Sequence, residues 1–335
     1  MVIQHSRRFS TFSARKTGTR LIYKQNARLT TKLLLKKPLR TRPRAAEAVT
    51  PNLSMRSTCM LQEQRTVEHW KINDNHLPSL LIAERLQPQH VEALLCGKTL
   101  AVRVPNFYPS CLAEEFTQSV LCNPTLSGYG IEPNILRTGI PLCDTVGKPE
   151  LRQQYFQQSM DWMHEEIVRF KYRLSPINLL LMELHQIWLP GVQFEHLDGH
   201  SMWAGSARVF RNGAEALPHR DKLQVDAPEF ERSKQLIRQI AANIYTNIPE
   251  SGGQLDLWWQ QFSEEEYNQL RVPGCYGLER QKLSLPTCTI EPQVGDLILF
   301  DSTCVHAVRP SLGVRVTQSC FMGLRGLYMP VSMWS

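Results

Sequence analysis

The sequence predicts an α+β fold with a mainly β core: a helical N-terminal part followed by a sandwich or barrel of short strands. Two observations carry this. Between residues 148 and 188, Leu151, Tyr155, Phe156, Met160, Met163, Ile167 and Phe170 recur at helical spacing. From residue 200 onward the period falls to two, and short apolar runs alternate with Gly and Pro turns. At 335 residues and 42% hydrophobic, the chain is long enough for a sizeable core.

The elements follow in order. Residues 1–55 carry Arg, Lys, Ser and Thr without periodicity. That composition reads as a disordered or organellar-targeting tail, or as sequence ahead of a later start at Met55 or Met60. Structure is expected from about His69. Residues 56–199 form the helical part and 200–335 the β core. Gln87 to Leu95 reads as a short helix, Thr99 to Val104 as a strand and Tyr108 to Leu121 as a helix. Residues 122–147, rich in Gly, Pro and Asn, read as a long loop that serves as a lid, a substrate wall or a plain surface excursion. Two helices follow, the second starting at Ser175-Pro176, and both are expected to pack behind a sheet with Met160 and Met163 in the core. Within the β region, Met202 to Phe210 alternates. Ala227-Pro228 opens a helix through about Arg238, and Ile240 to Ile248 and Gln254 to Trp259 flank a Gly252-Gly253 turn. Ser263 caps a helix through Glu266. Leu283 to Glu291, Asp296 to Phe300, His306 to Arg309 and Arg315 to Leu324 complete the strands.

Charge divides the chain. Thirteen Lys and Arg fall in residues 1–46, before the first acid at Glu47, which leaves 25 basic and 31 acidic residues in the body. A body with a net of −6 argues against nucleic acid as partner. No apolar run reaches the ~18 residues a membrane helix needs. Nine scattered cysteines without a C-x-x-C pair fit free thiols in a reducing, cytoplasmic setting, unless the tail directs the chain to an organelle.

The chemistry sits at His219-Arg220-Asp221. On a strand, residues i and i+2 share a face, so this imidazole and carboxylate can converge on one ion. With His306 they make two His and one carboxylate, which leaves three open positions on an octahedral metal. A second H-x-D, His196-Leu197-Asp198, lies in what reads as a loop. The His219 option is preferred because Pro218 favours extended backbone before it and a strand precedes it. Nine residues after His306 comes Arg315, with Thr317 on the same face. A guanidinium binds a carboxylate through two parallel hydrogen bonds, and a nearby hydroxyl adds a third.

Together these residues resemble the Fe(II)/2-oxoglutarate-dependent dioxygenases, in the prolyl-hydroxylase-like part of the double-stranded β-helix superfamily. The motifs are Pro218-His219-Arg220-Asp221, Tyr245 to Pro249 with Gly252-Gly253-Gln254-Leu255, Gly295-Asp296 with Leu299-Phe300, His306 and Arg315. The resemblance spans residues 200–325 and implies a double-stranded β-helix (jelly roll) with flanking helices. It implies Fe(2+) held by His219, Asp221 and His306, and 2-oxoglutarate held by Arg315, Thr317, Asn243 and Tyr245. With O2 it implies hydroxylation of an unactivated C–H with release of succinate and CO2. The Gly252 to Trp258 run and the Trp334-Ser335 ending resemble the small-molecule branch that includes the alkaloid halogenases. There Gly replaces the metal-binding carboxylate, so Asp221 implies hydroxylation or another oxidation. The substrate expected is an amino acid derivative or a natural product. Trp203, Arg208 and Trp258 are candidate substrate contacts, with packing as the alternative for each. Desaturation or ring formation on the same iron, a protein or peptide hydroxylase, and a non-catalytic β-helix binding module are the competing readings. Nucleic-acid demethylases of this superfamily carry a further arginine, for which Arg325 is a lone candidate.

Overall fold

The computed structural model of the protein describes residues 79–130 and 132–335. The basic tail and the expected start near His69 lie outside the described residues. All described residues fall within one compact unit, Glu68–Ser335.

Two sheets face each other. The larger runs in the order Ser79–Ile82, Thr99–Val104, Leu297–Asp301, Arg238–Asn247, Arg315–Leu324, Ser206–Phe210, Ile135–Arg137, Ser127–Gly128. Val331–Trp334 also pairs with Arg315–Leu324 and carries Val192–Phe194 beside it in parallel. The smaller sheet runs Cys288–Ile290, Leu255–Trp258, Val305–Val308, Ala216–His219. From residue 206 the chain passes from the larger sheet to the smaller three times and returns to the larger one at Arg315–Leu324. This winding is the double-stranded β-helix, with flanking helices outside it.

The period-two pattern is what the two faces require. In the larger sheet Ala241, Tyr245, Ile298 and Phe300 turn inward and pack on Leu255, Leu257 and Ile290 of the smaller one. Their alternates Ala242, Ile244, Leu297, Leu299, Val316 and Met322 turn outward, onto helices Pro88–Leu95, Ser110–Leu121 and Pro176–Ile187. Leu297–Asp301 is therefore buried at every residue, which explains its unbroken apolar run. Each such Leu, Ile or Phe contributes about 1.5–3 kcal/mol by leaving water. Ser175 caps its helix as expected, its Oγ accepting from the Asn178 N–H. The Gly252-Gly253 turn needs glycine: both φ are positive, and a Cβ on Gly252 would lie 2.1 Å from the Pro310 carbonyl oxygen.

Several expectations are corrected. The helix through Arg238 is two short turns, Leu223–Asp226 and Glu231–Lys234, and Arg238 already begins a strand. Residues 122–147 are not one loop, because Ile135–Arg137 pairs with Ser206–Phe210 as part of the main sheet. Residues 196–201 form a tight hairpin whose corner, Asp198-Gly199, has positive φ at both positions. Strand structure in 283–291 is confined to Cys288–Ile290. The long helix Pro149–Arg169 packs chiefly on Leu142–Thr145 and the 196–201 hairpin and meets the back of the main sheet at its Glu166 end, so Met160 is 56% exposed and Met163 only partly buried.

Candidate active site

His219 ends the Ala216–His219 strand and His306 lies directly opposite it on Val305–Val308. Asp221 follows just beyond the strand, its N–H donating to the Ser302 carbonyl at 2.8 Å. Antiparallel pairing thus puts both imidazoles on one face, with ring centroids 4.3 Å apart. One ligand atom from each of His219, Asp221 and His306 falls within 4.8 Å of the others. Nε2 of His306 lies 3.3 Å and Nε2 of His219 lies 3.9 Å from an Asp221 carboxylate oxygen.

The backbone orients both rings. His219 Nδ1 lies 2.7 Å from the Leu217 carbonyl, and His306 Nδ1 lies 3.0 Å from the Cys304 carbonyl. A carbonyl only accepts, so each Nδ1 carries the proton and each Nε2 offers its lone pair inward. Burial, and then the neighbouring His306, pull His219 down to about 4, which keeps it neutral. Burial works against the charge on Asp221, yet the two histidines hold its carboxyl down to about 2. Two neutral imidazoles and one carboxylate are a donor set that fits a divalent iron.

The 217–221 segment is gripped by further cavity-lining residues that sequence reasoning missed. The Tyr276 hydroxyl accepts from the Leu217 N–H, and its ring meets His219 edge-on at 5.4 Å. The Tyr267 hydroxyl accepts from the Arg220 N–H. The Arg220 guanidinium lies 4.0 Å from the Tyr267 ring and pairs with Glu264 at 2.6 Å. These partners are mostly backbone atoms, so nothing in the spacing of the tyrosines could have marked them.

Behind the triad, Arg315 is 2% exposed. It is sandwiched by rings, with its guanidinium 4.7 Å from Phe210 and 4.9 Å from Tyr245. Nη2 donates to the Tyr245 hydroxyl at 3.4 Å, while Nε and Nη1 have no partner. A buried cation with two idle donors is costly unless an anion arrives. Thr317 is also buried and lies across from Tyr245 on the neighbouring strand. Arg315, Thr317 and Asn243 line a cavity of about 600 Å³ together with His219, Asp221 and His306. Tyr245 stands just behind it, holding Arg315. The donors fit a carboxylate reaching in from the metal.

Of the other three candidates, only Arg208 lines this cavity. Trp203 and Trp258 do not, which corrects their reading as substrate contacts. The Trp203 ring packs on Trp162 and over Gly139 and donates to the Ile140 carbonyl. Trp258 is 1% exposed, packs on Tyr267 and Leu278, and donates to the Ser284 carbonyl. His196 and His200 lie away from the triad as well. His200 stacks on Phe156. The 122–147 segment supplies Tyr129, Gly130, Cys143, Asp144 and Val146 to the cavity wall.

The family model of the 2OG-Fe(II) oxygenase superfamily matches residues 205–323, the stretch that holds the whole site. The chain carries the domain of this superfamily at these residues. It is a 2-oxoglutarate- and iron-dependent oxygenase, and His219, Asp221 and His306 supply the His-Asp-His cluster that suits the metal. Among curated proteins, L-gamma-glutamyl-L-propargylglycine hydroxylase of Streptantibioticus cattleyicolor is 23% identical over 245 residues, covering 70% of this chain and 88% of that protein. Among solved structures, an N-substituted L-amino acid dioxygenase of Burkholderia ambifaria superposes with a TM-score of 0.51 at 15% identity. It covers 74% of this chain and 91% of its own. Its complex with alpha-KG gives a TM-score of 0.50 at 15% identity over the same shares. These two share the fold. Among the described residues of this oxygenase no helix is long and apolar enough to cross a membrane.

Proposed function

We propose that this oxygenase hydroxylates an unactivated C–H bond of a small molecule, an amino acid derivative or natural product. His219, Asp221 and His306 hold the iron, and Arg315, with Thr317, Asn243 and Tyr245 around it, holds 2-oxoglutarate. The observation that carries this reading is the pair of idle nitrogens on buried Arg315, facing the same cavity as the triad. Iron(II) and 2-oxoglutarate, held by these residues, would supply the oxidant for hydroxylation by O2, with succinate and CO2 as co-products. The residues do the rest. Arg315 neutralises the far carboxylate of 2-oxoglutarate, and the Phe210 and Tyr245 rings keep water from that ion pair. Asp221 would add a negative charge beside the two imidazoles, a three-residue set that would hold the metal and leave room for the co-substrate. The cavity, about 600 Å³, is of small-ligand size and sets apolar side chains such as Ile135, Phe300 and Val308 beside charged ones. The curated hydroxylase relative, named for a glutamyl amino acid, supports an amino-acid-type substrate.

Anaerobic titration with Fe(II) and 2-oxoglutarate tests the reading. A weak metal-to-ligand charge-transfer band in the visible is expected, and its absence would overturn the assignment.

A further inference from the structure

Four arginines line the cavity: Arg315, Arg220, which is paired with Glu264, Arg271, which is exposed and donates to the Cys275 carbonyl, and Arg208, which neither iron nor the far end of 2-oxoglutarate requires. Arg208 lies on Ser206–Phe210, between Arg137 on one neighbouring strand and Thr317 on the other. Laterally paired residues share a face, so all three side chains start toward the same interior. Their surroundings differ. Arg137 is fully engaged: it pairs with Asp144 at 2.6 Å, donates to the Ser127 hydroxyl and the Gly139 carbonyl, and lies 5.0 Å from the Tyr129 ring. Arg208 has no carboxylate within 4.0 Å among the described residues, and its Nε is buried with no partner. Among the described residues its hydrogen-bonding neighbour is the Tyr129 hydroxyl, from the 122–147 wall. The fold has thus spent Asp144 on the outer arginine and left the inner one open to the cavity.

We infer that Arg208 seats a carboxylate of the substrate, so that the molecule oxidised here is an acid whose anionic end is held beside Tyr129. The inference rests on the cavity being the oxygenase active site. 2-Oxoglutarate brings two carboxylates, one for the metal and one for Arg315, and Arg208 belongs to neither set. Its hydrogen-bonding companion is on the wall segment, which holds neither metal ligand nor Arg315, and that favours the substrate side. A planar guanidinium with a free edge prefers a carboxylate that can accept two parallel bonds.

The test uses the full chain loaded anaerobically with Fe(II) and 2-oxoglutarate. N-acetyl L-amino acids are titrated against their matched primary amides, and the shift of the charge-transfer band is followed. Acids of this set should perturb the band at concentrations at least tenfold below those of their amides. Arg208→Gln should erase that preference while the 2-oxoglutarate requirement changes less than threefold, and Arg208→Lys should restore part of it. Equal response to acids and amides, or no response to any acid, overturns the inference. So does an Arg208→Gln variant that loses 2-oxoglutarate as severely as Arg315→Ala, because Arg208 would then serve the co-substrate. The acid-against-amide comparison needs no variant, so a folding failure cannot hide the result. Absence of the band itself would instead sink the iron and 2-oxoglutarate reading.

Discussion

Two arginines at the two ends of one strand meet opposite fates. Arg325, just past Arg315–Leu324, pairs with Glu195 at 2.7 Å, donates to the Ser332 hydroxyl and reaches the Arg232 carbonyl, which leaves only Nε without a partner. Glu195 is fully buried and also takes Arg232 at 2.5 Å. Arg315, at the other end, is buried more deeply, yet it has aromatic rings and one long hydrogen bond where Arg325 has a carboxylate. The chemistry and the strand are the same. What differs is whether the fold supplies the anion. Where it does, the arginine pins the Val331–Trp334 strand to the sheet. Where it does not, the arginine is a seat for something brought in. The same contrast leaves Arg325 unavailable as a nucleic-acid contact.

The comparison can be broken from either end. The largest effect is expected at the metal, without which Arg315 has nothing to anchor. Asp221→Gly should lower hydroxylation by more than about a thousandfold, measured as succinate and product together. Full activity would move the carboxylate ligand elsewhere, for example to Asp198 in its hairpin corner. Next comes Glu195→Gln, which removes the buried charge that holds Arg325 and the partly exposed Arg232, and should cost about 3 kcal/mol in urea unfolding. Its 2-oxoglutarate KM should stay at the wild-type value, and a raised KM would mean that the two ends are coupled. Arg315→Ala should do the reverse: a 2-oxoglutarate requirement raised about 30- to 100-fold, near 2–3 kcal/mol, with the iron requirement and the urea midpoint unchanged. Equal losses for iron and 2-oxoglutarate would make Arg315 structural.

The smallest effect lies between the two ends. Gln318, on the outer face of the same strand, donates to Glu166 at 2.5 Å, and burial pushes the Glu166 carboxyl up from 4.5 to about 7. The folded protein then keeps this proton over a range where the unfolded chain has lost it. Its stabilising contribution is whole below pH 4.5 and declines as pH rises through 7. Glu166→Gln should flatten that part of a melting-temperature profile, and an unchanged slope would show that the proton resides elsewhere.

Much of the site was legible because its logic is short in sequence. His219 and Asp221 stand at strand spacing after Pro218, and Arg315 and Thr317 repeat that spacing nine residues past His306. The helix at Ser263 declared itself through its capping box, which the structure contains. What stayed hidden depends on distant partners. Met160 keeps helical spacing, yet its helix packs on a small hairpin and turns that side to water. Val331–Trp334 is a strand because it lies against Arg315–Leu324 and Val192–Phe194, the latter more than a hundred residues away. Trp203 and Trp258 look like binding residues in one dimension and are fillers in three, since their N–H groups are already used by backbone carbonyls.

The direct pairing of His219 with His306 has a last consequence. An ion that ties these rings also staples two strands at a fixed register, next to an irregularity between His306 and Val308. Occupancy and local opening of the small sheet are then two views of one equilibrium. Amide hydrogen exchange at residues 216–219 and 305–308 should therefore slow when iron is added and quicken under a chelator. Exchange in the Arg238–Asn247 strand, held by its own long ladder, should stay as it was, so the protein carries a built-in gauge of its own metal content.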